Sequence, residues 1–180
     1  KLAKLVPIGC VVTNEAHLQS AKGEAYSREL ARWGIQVRGP FSGCLPFPYY
    51  LPPEDLSARS ARPKPNAQMS GMLVPLQGGG FYFSAGDANS EDEPRMARWA
   101  LGHLPSPEGP RILKISHHGS KTSTHPALLT LIAPTEAWIS SGVGNSYGHP
   151  TLRVLQRIDE RDILIRRTDQ EGVLRVFKGK

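Results

Sequence analysis

The chain is poor in cysteine, with only two in 180 residues. Cys10 and Cys44 form neither a C-x-x-C pair nor the even, closely spaced set that staples a small secreted domain. A distant pairing stays open, two buried thiols are expected, and the redox compartment is left undetermined. Also lacking is any apolar run near the roughly 20 residues that a membrane span needs, so this segment is expected to insert no transmembrane helix. The first residues carry Lys1 and Lys4 but no apolar core, which argues against a signal peptide. Internal repeats, low-complexity tracts and dense basic blocks are absent as well. Residue 1 is Lys and not Met, which points to a processed product or a fragment of a longer chain.

What is present suits one globular domain. Hydrophobic residues make up 39% and charged residues 21%, and the length allows a substantial core. The formal charge is +6 and the isoelectric point is about 9.5. A basic balance suits a polyanionic partner, but it suits an ordinary solvated surface equally well.

Apolar periodicity gives the organisation. A strand is expected over residues 8–12, a helix over 23–33 with Ala25, Tyr26, Leu30 and Trp33 at helical spacing, and a strand over 35–38. From Gly39 to Gln68 seven prolines, with Pro75 just downstream, exclude a regular helix or central strand. This 39–68 stretch reads as a lid, a linker or a shortened region, with Phe47, Tyr49 and Tyr50 packing on something. A hairpin follows, with strands 71–76 and 81–85 around Gly78-Gly79-Gly80. Ser90 and Glu93 form a capping-box signature for a helix to about Leu101. Then come strand 111–115, helix 126–133, strand 136–140, helix 150–158 and strand 162–167. A turn over 169–172 leads to a last strand, 173–177. The class is mixed α/β.

Ser116-His117-His118-Gly119-Ser120-Lys121-Thr122-Ser123-Thr124 is the stretch richest in chemistry. It follows an apolar strand, where side chains are fixed yet reach substrate. Imidazole ligates metals or moves protons near neutral pH, and lysine and hydroxyls hold anions. Neighbours alternate along a regular strand, so one of His117 and His118 would face a site and the other would pack. Asp87, after Gly86 at a strand end, would reach over the sheet edge to a metal, although Gly-Asp also caps turns. In Asn145-Ser146-Tyr147-Gly148-His149-Pro150, Pro150 suits a helix's first turn, with His149 just outside and kept neutral by the helix N-terminus. Thr124-His125-Pro126 repeats that pattern and reads as a helix start. Asn66 and Ser70 would face the same cleft, while His17 and His103 read as surface residues.

In this order, Asn66-x-x-x-Ser70, Gly86-Asp87, His117-His118-Gly119-Ser120-Lys121, Gly148-His149-Pro150 and Arg167-Thr168-Asp169-x-x-Gly172 resemble one family. It is the metallo-β-lactamase-fold domain at the C-terminus of ComEC-type DNA-uptake (competence) proteins, with related stand-alone metallohydrolases. The resemblance covers most of residues 66–177. It implies an αββα sandwich, of which this chain would be a single, incomplete domain forming the C-terminal part. It also implies divalent metal, zinc or manganese and two ions in the complete domain, whose hydroxide attacks a DNA phosphodiester. The implied metal ligands are Asp87, His118 and His149, with His117 not distinguished from His118 as the late histidine. Catalytic roles fall to His117, His118 and Lys121, and substrate contacts to Asn66, Ser70, Ser120, Ser123 and Tyr147.

The family's principal metal motif, His-x-His-x-Asp-His, occurs nowhere in the 180 residues. It would lie upstream and supply most of the ligands, since a tight zinc site uses three or four protein groups. The implied partners are therefore the missing N-terminal half and DNA, single-stranded or one strand of a duplex. The implied setting is a bacterial inner-membrane uptake protein. Two alternatives stand beside this: a metal-poor module that binds nucleic acid without cutting it, and a small-molecule hydrolase acting on a lactone or phosphoester.

Overall fold

The structure, a computed structural model, describes residues 10–12, 19–38, 49–50, 69–105 and 108–175. Near its start, β1 (Cys10–Val12) pairs in parallel with β2 (Gln36–Arg38) through the connecting helix α1 (Ala21–Ala31). The expected strand–helix–strand unit is therefore present. Ser20 caps α1 by accepting from the Gly23 N–H at 3.0 Å. The expected apolar face of α1 is not buried, because Tyr26 and Trp33 are about half exposed. Cys10 is disulfide-bonded, which corrects the expectation of two buried thiols.

The main element is a six-stranded sheet in the order β3-β4-β5-β6-β7-β8. Its strands are β3 (Tyr49–Tyr50), β4 (Gly71–Pro75), β5 (Phe81–Ser84), β6 (Arg111–Lys114), β7 (Glu136–Ile139) and β8 (Leu164–Arg167). β3, β4 and β5 pair antiparallel, whereas β5, β6, β7 and β8 are parallel neighbours. Within the proline-rich stretch, β3 is thus a two-residue edge strand, where proline is tolerated nearby. Tyr50 is buried and meets Trp99 edge-on at 5.6 Å.

Three helices connect the parallel strands: α2 (Glu93–Leu101), α3 (Pro126–Ile132) and α4 (Leu152–Asp159). Their apolar positions share one face each. Met96, Ala97 and Ala100 of α2, Leu128, Leu129 and Ile132 of α3, and Val154 and Ile158 of α4 are all buried. They pack on Leu73, Phe81, Phe83, Leu113, Ala137 and Ile139 from one face of the sheet. Each buried Val, Leu, Ile, Met or Phe side chain among them stabilises the fold by about 1.5–3 kcal/mol when removed from water.

Several expected boundaries shift for local reasons. No capping box forms at α2: Asp92 is the N-cap but its side chain makes no capping bond, and Glu93 bonds elsewhere. As expected, His125 starts α3, its side chain accepting from the Ala127 N–H. Pro150 does not lie in the first turn of α4, because the helix begins at Leu152 with Thr151 as N-cap. The expected turn at 169–172 is a short helix, α5 (Thr168–Glu171). Residues 173–175 form no strand, and 176–177 lie outside the described residues.

Candidate functional site

Parallel strands bring their carboxyl ends to one edge of a sheet, where ligands of open α/β sheets collect. Here the chain leaves β5 into Gly86-Asp87, leaves β6 into Ser116–Gly119, and leaves β7 into the loop that carries His149. Asp87, His117, His118 and His149 are brought to that edge by topology. No local sequence rule places them together.

The residues after β6 do not continue the strand. They form a tight 3-10 turn in which His117 (φ 48°) and His118 (φ 56°) both take left-handed backbone conformations. Strand alternation therefore does not govern the pair. Left-handed backbone costs a non-glycine residue roughly 1–2 kcal/mol, so the surroundings must hold it. The His117 N–H donates to the Gly86 carbonyl at 3.2 Å. Ser123 Oγ lies 2.9 Å from both the Ser116 and Ser120 carbonyls. The Gly119 carbonyl accepts from the Thr151 N–H at 2.9 Å and from its hydroxyl at 3.1 Å. Gly119 (φ 82°) is required here, because a Cβ would come within 2.6 Å of Pro150 Cβ. The turn and the His149–Thr151 segment are locked together.

His118 has an assignable tautomer. Its Nδ1 lies 2.6 Å from the Ser140 carbonyl, which can only accept, so Nδ1 carries a proton and, in the neutral ring, Nε2 keeps its lone pair. Nε2 lies 3.8 Å from Asp87 Oδ1. Two acceptors facing each other call for a proton or a cation. Lys114 Nζ is 3.8 Å from the same oxygen and donates to the Gly86 carbonyl at 3.3 Å. Burial lowers the Lys114 pKa, and Asp87 opposes that shift.

His117 and His149 meet edge to face at 6.0 Å. Tyr147, 82% exposed, stacks on the His149 ring at 5.9 Å. Asn145 clamps this loop, accepting from the His149 N–H at 3.0 Å and donating to its carbonyl at 2.6 Å. The His149 pKa is lowered by burial first, then by His117 and His118. The lowered His149 pKa thus comes from burial and then from the neighbouring imidazoles, not from a helix N-terminus, which corrects the sequence expectation.

The other candidates separate. Ser70 is exposed, and its carbonyl lies beside Gly86, 3.2 Å from where a Cβ would project. Ser120 is buried, with its hydroxyl 3.1 Å from that of Thr122. Ser123 is fully buried and holds the turn. Lys121 is exposed and lines a different cavity, one that none of Asp87, His117, His118 and His149 lines. Asn66 and His17 lie outside the described residues. His103 is exposed, as expected, and its ring lies 4.9 Å from that of Trp99.

Sequence reasoning missed Lys114 and Glu93. Lys114 was legible as a lone charge in the apolar run Ile112-Leu113-Lys114-Ile115. Glu93 carries a capping signature in the sequence, for a cap that it does not make. Its carboxylate is fully buried and accepts from the Thr124 and His125 N–H groups at 2.8 and 2.6 Å, joining α2 to the start of α3.

Asp87 and His118 fit two positions of a metal's ligand set by donor chemistry. They do not complete one, since among the described residues no three His, Cys, Asp or Glu side chains gather to hold an ion. The arrangement is a carboxylate flanked by a lysine and an oriented imidazole, with a second imidazole pair and an exposed ring beside it.

No protein-family model matches the chain. It is similar to the ComE operon protein 3 of Bacillus subtilis, 32% identical over 165 residues and 89% of this chain. It is similar to the Competence protein ComA of Neisseria gonorrhoeae, 33% identical over 61% of the chain. The Recombination protein 2 of Haemophilus influenzae is 36% identical over 51% of it. The chain spans only 19%, 15% and 11% of the lengths of these relatives, respectively. These similarities support a relation to ComEC-type competence proteins.

Proposed function

We propose that this chain is the C-terminal part of a metallo-β-lactamase-like αββα domain that hydrolyses DNA phosphodiester bonds in a bacterial inner-membrane DNA-uptake protein. One observation carries the reading: Asp87, His117, His118 and His149 converge at the carboxyl edge of the parallel strands, in a chain similar to competence proteins. The sheet supports the sandwich. Its helices cover one face, while the other presents Met72, Tyr82, Trp138 and Leu164, of which Met72 and Leu164 are 42% and 58% exposed. A half-apolar face of this kind suits a second sheet.

In this reading a divalent ion, zinc or manganese, would sit at Asp87 and His118, with its remaining ligands from outside these residues. When bound it supplies an activated hydroxide. The chain's own groups do the rest. The Ser140 carbonyl keeps the His118 lone pair aimed at Asp87, His149 stays neutral to accept a proton, and Tyr147 offers a ring face to a base.

The test is manganese-dependent cleavage of a labelled single strand. The 180-residue chain is compared with a longer chain that includes a His-x-His-x-Asp-His segment. Cleavage by the longer chain that is lost in Asp87→Asn is the expected result. Undiminished metal-dependent cleavage by the 180 residues would sink the claim that ligands are missing.

A nucleic-acid-binding module without hydrolase activity is the second reading. It is favoured by Lys114, which already places a cation 3.8 Å from Asp87 Oδ1. Salt-sensitive DNA binding with neither metal uptake nor cleavage in the longer chain would establish it.

A further inference from the structure

Away from the histidines, an open cavity of about 670 Å³ lies between the loop before α2, the turn after Ser120 and the first turns of α4. Lys121, Arg153, Arg157 and His125 line it, opposed by the single carboxylate of Glu91, with Asn89 at its side. Arg153 and Arg157 are four residues apart on α4 and so share a helix face. Arg157 is fixed in place, its Nη1 donating to the Ser123 carbonyl at 3.2 Å and to the Thr124 carbonyl. That leaves the Nε–Nη2 edge, the fork that pairs an anion bidentately. His125 Nδ1 accepts from the Ala127 N–H at 3.0 Å, so in the neutral ring the proton sits on Nε2, a further donor. Lys121 and Arg153 are exposed and add mobile charge at the rim.

We infer that this cavity is a phosphate-binding subsite for the backbone of a nucleic-acid strand, separate from the histidine edge. It rests on the DNA reading above for the identity of the ligand, and on its own geometry for the phosphate. Cations outnumber the carboxylate, the volume is within the range of small-ligand pockets, and the polar lining suits a charged group over an apolar one. Its Lys121 is three residues from His118, which ties the cavity to the loop that carries the candidate site. Phosphate contacts of this kind position a strand without reading its sequence.

Two measurements on the 180-residue chain test this. The first is fluorescence anisotropy with a labelled oligothymidylate across a salt series, comparing the unaltered chain with K121E/R153E. Losing two phosphate contacts should weaken binding by about tenfold and reduce the salt slope by roughly 1.4. A K121Q/R153Q pair, with its fold checked by circular dichroism, should give a smaller loss of the same kind. The second is amide perturbation by inorganic pyrophosphate, which should map to residues 121–125 and 153–157 and vanish in K121E/R153E. Oligonucleotide binding that the double substitution leaves unchanged would overturn the subsite while the proposed function stands. Pyrophosphate binding without oligonucleotide binding would retain a phosphate site but overturn its assignment to nucleic acid, while the cleavage test on the longer chain decides the DNA reading separately.

Discussion

At the scale of single residues, His149 at the sheet edge sets a pH dependence. The folded-state pKa of His149 is held below the ordinary 6.5 by burial and by His117 and His118. As pH falls through about 6.5, the unfolded chain gains a proton that the folded chain still refuses, so stability should fall. It is fully present above the ordinary value and lost between that value and the depressed one. Urea midpoints in the presence of a chelator should therefore decline from pH about 7.5 to about 5.5, and His149→Gln should flatten that decline. An unchanged slope in the variant would remove His149 as its source. His149 was legible in the sequence as a candidate, but its surroundings were not. The partners that lower its pKa come from a loop some thirty residues earlier in the chain.

At the scale of elements, Glu93 joins α2 to α3. Burial pushes its carboxyl above the usual range, opposed by the hydrogen bonds it accepts from His125 and Thr124. Removing the acceptor strands two N–H groups, one of them fully buried. Glu93→Ala should therefore cost about 2–4 kcal/mol in chemical denaturation, while Glu93→Gln, which keeps one acceptor, should cost less. The pH sign is opposite to that of His149. With a raised folded pKa, the folded chain takes up a proton before the unfolded chain does, so this contribution grows as pH falls from the raised value toward the ordinary 4.5. Glu93→Gln should abolish that rise, which separates the two titrations. The sequence marked Glu93 through its spacing from Ser90, as a local cap. The tertiary contact with Thr124 and His125, thirty residues on, overrides that local option.

At the scale of the whole molecule, the core cluster of the described residues lies on the helix-covered face of the sheet. Phe83 is fully buried on the helix-covered face of the sheet, whereas Leu164 is 58% exposed on the opposite face. Phe83→Ala should cost about 3–5 kcal/mol. Leu164→Ala should change stability by no more than about 0.5 kcal/mol in the 180-residue chain. Equal losses in urea unfolding would show that the second face is packed as tightly as the first. Among the described residues no helix is long and apolar enough to cross a membrane, in keeping with the absence of a long apolar run.

Periodicity and turn residues alone specified the alternation of strands and helices from residue 71 to 167, because hydrophobic spacing and Gly or Pro punctuation are local properties. The motif order likewise marked Asp87, His117, His118 and His149. The parallel pairing of β5, β6 and β7 was not local, and it is what gathers those four residues at one edge. Folding also replaced strand alternation after Ile115 with left-handed backbone at both histidines, held by contacts from Gly86, Ser140 and Pro150. Lys114 beside Asp87, Glu93 under α3 and Lys121 in a separate cavity all depend on packing between distant segments, and no window of the chain carries that information.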